Sequence, residues 1–223
     1  MAGFCQEGGQ VMQLFTYNSD TLAFYKRLGF EVIRGGRAAH GGDWYLRSPA
    51  GAQEQVEAWF SGGQCRLRPL APDDLPRYCL LYNAEYRTAL KDRAQGIGTG
   101  LEAEMAFIRA LDQAGRGRAA FLALDNGQTL VGMSSLVACD FPHQAHVGMV
   151  DYYLHPRFAA EAGDLIQAAL AQRSGLGIEF VYALVADDEK RRTLLATGFH
   201  HRARLGGHYR VDDRRLDCDL LQF

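Results

Sequence analysis

The chain has 223 residues, 48% apolar and 11% aromatic, enough to bury the core of one large domain or of one domain plus part of a second. A net charge of −2 and a pI near 6.4 give no bulk attraction for a polyanion, which argues against a nucleic-acid partner. Five scattered cysteines with no CxxC pair argue against a zinc site or a disulfide framework, the start carries no signal-peptide pattern, and no apolar run approaches the roughly 20 residues that span a bilayer. The expectation is a cytoplasmic protein with no metal and no membrane partner.

In chain order, Val11–Tyr17 reads as a strand and Asp20–Leu28 as a helix capped by Asn18 or Ser19. Glu31–Arg34 reads as a strand, and Asp43–Arg47 with Gln55–Trp59 as a hairpin around Ser48–Gly51. This β-α-β-β-β stretch is short for an independent domain, and SGGQ (Ser61–Gln64) is the natural boundary after it. Cys65–Leu70 then alternates like a strand, and a helix starts at Ala71–Asp74 and runs toward Glu85 or Tyr86. Leu101–Gln113 has helical spacing. Arg118–Leu124 and Gln128–Cys139 form a hairpin around Asn126-Gly127. His146–Pro156 is a strand, Glu161–Gln172 a helix, Glu179–Val185 a strand and Glu189–Ala196 a helix. Two strands near His208–Val211 and Leu216–Leu221 finish the chain.

Two of these stretches match each other. VMQLFTYNSDTLAFYKRLGF (Val11–Phe30) and FVYALVADDEKRRTLLATGF (Phe180–Phe199) both run apolar strand, Asx break, amphipathic helix and Gly-Phe, with no gap. A long-period match of this kind points to a duplicated unit.

The order of elements from Cys65 to Phe223, with RLRPLAPDD, AFLALDNGQTLVGMSSL, DYYLHPRF and ATGF in sequence, resembles the GNAT N-acetyltransferase superfamily. Residues 11 to about 47 resemble the last third of the same fold, with Asn18, Tyr25, Gly29 and Phe30 at that family's positions. The resemblance implies an α/β fold with a mixed central sheet flanked by helices. A truncated N-terminal copy would occupy residues 1–62 and a complete acetyltransferase domain residues 65–223. It also implies acetyl-CoA as cosubstrate and acyl transfer to the primary amine of a small molecule or a peptide N-terminus. The family lodges the cofactor between two splayed parallel strands, here His146–Leu154 and Glu179–Val185, and sets its pyrophosphate on the N-terminus of the next helix. Carried over by position, Tyr153, Leu154, Arg157, Ala162, Gly163 and Asp187 would contact the cofactor, and Tyr82, Glu85 and Tyr86 the substrate. Asp92 and Gly96–Gly100 lie beside the latter group. The chain departs from the pattern in the phosphate loop, where Arg157–Gly163 keeps one glycine and carries Glu161. It departs again at Asp187, in place of Asn, and at Leu194, in place of the Tyr that protonates the leaving thiolate in relatives.

The candidates for proton transfer are Asp151, His146 and Tyr209. Asp151 also reads as a carboxylate paired with an arginine, His146 as a solvated hairpin-end histidine, and Tyr209 as a buried aromatic with a hydrogen-bonded tip. His200 and His201 are adjacent on a strand, face opposite ways and cannot share an ion. Two other readings stand beside the enzyme. One is a non-catalytic GNAT-fold module for binding or assembly. The other is a glyoxalase-like N-terminal β-α-β-β-β module fused to a GNAT domain, with His40 and Glu57 as ligands. Exposed strand edges in the N-terminal piece call for cover, either from the main domain or from a homodimer.

Overall fold

A computed structural model describes residues 10–16, 18–38, 41–49, 51–83, 103–211 and 214–223. The N-terminal unit holds β1 (Met12–Thr16), helix α1 (Leu22–Arg27), β2 (Glu31–Ala38), β3 (Gly41–Ser48) and helix α2 (Gln53–Trp59). Its strands form a separate sheet in the order β1-β3-β2. Then follow β4 (Arg66–Pro69), α3 (Leu75–Asn83), α4 (Ala103–Gly115), β5 (Ala119–Asp125), β6 (Leu130–Ala138) and β7 (Val147–Leu154). The chain ends with α5 (Ala162–Ala171), β8 (Phe180–Val185), α6 (Asp188–Ala196), β9 (His200–Val211) and β10 (Arg214–Gln222). These seven strands make one sheet ordered β4-β5-β6-β7-β8-β10-β9, antiparallel except for β7 against β8.

The strand expected over Gln55–Trp59 is a helix instead. Val56 and Phe60 are four apart and both buried, and Gln53 donates to Glu57 across the same turn, so helical spacing wins over the apparent alternation. The β-α-β-β-β reading of the N-terminal unit fails with it, and so does the glyoxalase-like module built on that reading. Glu57 pairs with Arg157 rather than facing a metal, and His40 lies outside the described residues. The final hairpin is also longer than expected, because His200–Gly207 belongs to β9.

The sequence match between the two stretches extends to their hydrogen bonding. In the N-terminal sheet, Gln13 and Glu31 both face Arg47, and in the large sheet Tyr182 and His200 both face Gln222. One residue on, Leu14 and Val32 face Leu46, while Ala183 and His201 face Leu221. A bulge then interrupts β2 at Ile33 and β9 at Arg202, the same place in both units. Asn18 caps its helix through the Asp20 N–H, and Asp187 caps α6 through those of Glu189 and Lys190. Both helices stop at a glycine with positive φ, Gly29 at 85° and Gly198 at 101°, after which Phe30 and Phe199 turn into the core.

One hydrophobic core joins the two units. Tyr45 of β3 packs its ring 5.7 Å from Tyr82 of α3, and Val56 of α2 and Phe60, which caps that helix, enter the same cluster as Tyr78, Phe107 and Leu165. The linker is held from above by Asn126, whose amide donates to the carbonyls of Trp59 and Gly62 while its oxygen accepts from Gln128 and Thr129.

Candidate active site

The parallel pair is short. Val147, Gly148 and Met149 of β7 pair with Phe180, Val181 and Tyr182 of β8, and pairing stops there although β7 continues to Leu154 and β8 to Val185. Each strand stays paired with its other neighbour past this point, β7 with β6 as far as Leu154 and β8 with β10 as far as Val185. On β7 the odd-numbered residues bond to β6, as the bonds from His155 to Val131 and from Cys139 to Val147 show. The backbone groups of Val150, Tyr152 and Leu154 therefore face the gap.

Two charged groups meet in that gap. Asp151 is buried, and its Oδ1 accepts from the Tyr152 N–H at 2.7 Å and from Lys190 Nζ at 2.8 Å. Lys190 comes from the first turn of α6, and its ammonium lies 5.1 Å from the centre of the Tyr152 ring. The Tyr152 phenol shares a hydrogen bond with Thr193, and burial pushes its pKa up to about 12, so it stays neutral. Directly across from Asp151 in the β6–β7 register stands Ser135, whose buried hydroxyl has no hydrogen-bond partner among the described residues.

Beyond the gap the chain turns through His155 and a 3-10 segment, Pro156–Glu161, into α5. His155 Nδ1 accepts from the Arg157 N–H, and its ring stacks on Phe60 at 4.5 Å and 8°. Burial, together with the Arg157 charge, brings the His155 pKa down to about 4. Arg157 turns away from the loop, toward the Glu57 carbonyl at 3.4 Å and carboxylate at 3.8 Å. The phosphate-loop position is thus braced by α2 of the N-terminal unit. Ala162 is buried and Gly163 half-buried; a Cβ at Gly163 would find only Thr197 Cγ2, at 3.8 Å.

The expected site residues divide accordingly. Asp151 lines the gap, paired with a lysine rather than an arginine; Tyr153 lies buried on the same strand, and Leu154 closes over Gly132. Asp187 caps α6 at the mouth. His146 sits at the paired end, where its carbonyl accepts from Glu179 and Phe180, about 16 Å along the strand from Asp151. Tyr209 pairs with Leu216, on the part of the hairpin that projects past Asp219, the β10 residue opposite the end of β8. Over that length of strand His146 does not reach Asp151. Tyr82, expected at the substrate, is instead fully buried between Tyr45 and Tyr78, because its place on α3 faces the N-terminal sheet. Glu85, Tyr86 and Asp92 lie outside the described residues, as do Gly96–Gly100. Asn18 and Tyr25 belong to the small sheet's helix, with Tyr25 edge-on to Phe30 at 5.8 Å. Lys190 and Ser135 were not anticipated. A signal for Lys190 was present: it is one of only three lysines beside 21 arginines, and it lies one helical turn before Leu194.

No protein-family model matches the sequence, and no curated protein matches it either. Solved structures do. The yncA protein of Salmonella typhimurium, solved with its cofactor acetyl-CoA, superposes with a TM-score of 0.61 at 15% identity over 71% of this chain and 92% of its own. A GNAT superfamily phosphinothricin acetyltransferase from Sinorhizobium meliloti, in complex with acetyl-CoA, gives 0.60 at 16% identity over 71% and 87%. A ribosomal-protein-S5-alanine acetyltransferase from Vibrio fischeri gives 0.58 at 13% identity over 71% and 92%. The chain has the GNAT acyltransferase fold.

Proposed function

We propose that the chain is an acetyl-CoA-dependent N-acyltransferase acting on a primary amine, with residues 65–223 as the acyltransferase domain and residues 1–62 as a second, partial copy of its last third. The observation that carries this reading is the parting of β7 and β8 after Met149 and Tyr182. Strands that part while buried on both sides leave backbone donors and acceptors facing a slot, and a ligand carrying amides along its length satisfies them as an added strand would. The gap residues fit a pantetheine arm. The phosphate end fits through backbone alone, since Glu161 is half-buried there, Asp164 lies in the first turn of α5, and Arg157 is engaged by Glu57. Bound acetyl-CoA supplies an activated acyl group. The Tyr152 N–H faces the gap and offers a donor for a thioester carbonyl once Asp151 releases it. Asp151, on the strand face away from α5, accepts the proton of an incoming ammonium. Ser135 offers a hydroxyl beside it. Leu194 cannot protonate a leaving thiolate, so positioning carries more of the rate than in relatives with a tyrosine there.

Calorimetric titration with acetyl-CoA and CoA tests the reading. Micromolar binding that survives Gly163→Ala, for which the site has room, and is lost in Gly163→Trp is the expected result. No binding at millimolar cofactor would leave a GNAT-fold module without acyl-transfer chemistry.

A further inference from the structure

The Lys190–Asp151 pair crosses the sheet. A Cβ built on Gly132 would meet Leu165 of α5 at 3.4 Å, so the face of β6 and β7 that carries Gly132, Tyr152 and Leu154 is the α5 face. Helix α6 lies on that same side: Gln167 of α5 donates to the Thr197 carbonyl at 3.0 Å, and Tyr152 shares a hydrogen bond with Thr193. Asp151 alternates with Tyr152 and belongs to the opposite face. The Asp151 carboxylate bends into the gap to accept from the Tyr152 N–H, and Lys190 Nζ, coming from α6 and 5.1 Å from the Tyr152 ring, meets it there between β7 and β8.

A lysine at this spot stands apart from the rest of the chain. The other ion pairs among the described residues are made by arginines or by His201, including those on Asp74, Asp125 and Asp219. Arginine would make the stronger fork on a carboxylate, but its guanidinium is planar, stays protonated and is a poor nucleophile. A lysine amine is slender enough for a gap between strands, and it becomes a nucleophile on losing one proton.

We propose that Lys190 is itself an acyl acceptor, modified by the thioester lodged between β7 and β8. This rests on the acyl-donor reading above. One proton of the Lys190 ammonium passes to Asp151 and on to solvent, and the freed Nζ lone pair attacks the thioester carbonyl carbon. The C–N bond forms and the C–S bond breaks. The second proton leaves with the thiolate as the free thiol, and an uncharged amide remains on Lys190. The amide carries no charge, so modification removes the ion pair between Lys190 and Asp151.

The experiment is incubation of the full chain with isotopically labelled acetyl-CoA, followed by digestion and site mapping by mass spectrometry over a time course. Exposed Lys26 reports spontaneous chemistry within the same molecule. Lys190 is expected to label at least about ten-fold faster than Lys26, and Asp151→Asn to remove most of that advantage. A Lys190 that labels no faster than Lys26, in protein that calorimetry shows to bind acetyl-CoA, overturns self-acylation and leaves the donor reading intact. Absence of binding overturns both.

Discussion

His155 links the stability of this chain to pH through a single ring. In the unfolded chain its pKa is near 6.5, and in the fold it is about 4, because the imidazole is buried against Phe60 beside Arg157 and uses Nδ1 as an acceptor. The unfolded state therefore binds more protons than the native state between those values, and stability falls as pH drops through that window. The whole shift corresponds to about 3 kcal/mol, of which about 2 kcal/mol is lost between roughly pH 7 and pH 5. With an m-value of about 2.5 kcal/mol/M, the urea midpoint should fall by about 0.8 M over that interval. In His155→Gln the side chain cannot titrate, so the drop should shrink by that amount whatever the variant does to absolute stability. Equal pH slopes for the two proteins, or an NMR titration placing His155 near 6.5 in the fold, would refute the account.

Three further outcomes follow from the packing. Asn126→Ala removes four hydrogen bonds from a buried site and should cost about 2 kcal/mol or more, with proteolysis appearing first at residues 61–64. Asp74→Ala leaves Arg68 without its bidentate partner at 2.6 Å and the Ala71 N–H without an acceptor; chemical denaturation should register a loss of about 3 kcal/mol. Gly198→Ala forces a side chain into positive φ, with its Cβ 3.3 Å from the Phe223 ring. It should destabilise by about 1–2 kcal/mol in thermal melts, whereas Gly163→Ala should be close to neutral.

Much of the scaffold was legible because its elements obey local rules. The Asn126-Gly127 turn set a hairpin, Pro156 ended a strand, and the buried stripe Ala162, Leu165, Ile166, Ala169 and Leu170 gave α5 its period. The Gln55–Trp59 segment reads either way because a short apolar run satisfies a strand as well as a helix, and the burial of both Val56 and Phe60, four apart, decides for the helix. The site was harder to read. Asp151 could be suspected from its strand, but its partner arrives from a helix 39 residues later, through a gap that exists only once seven strands are assembled. Tyr82 was misassigned for a related reason: its α3 face meets a sheet that a GNAT domain alone would not have.

The seam between β7 and β8 has a mechanical consequence. Among the described residues, three residue pairs and the bonds from Glu179 and Phe180 to the His146 carbonyl tie β4–β7 to β8–β10, while each half is paired strand to strand along most of its length. The large sheet is thus two panels joined by a short hinge, with an ion pair as its clasp. The N-terminal sheet β1-β3-β2 matches the second panel in register and bulge, and among the described residues no strand lies beside it in the place of β7. A panel that holds its own geometry can be copied, shed or re-joined without rewriting the other. Whatever fills the seam serves as the missing rung between the two panels, so occupancy of the seam and rigidity of the whole sheet should rise and fall together.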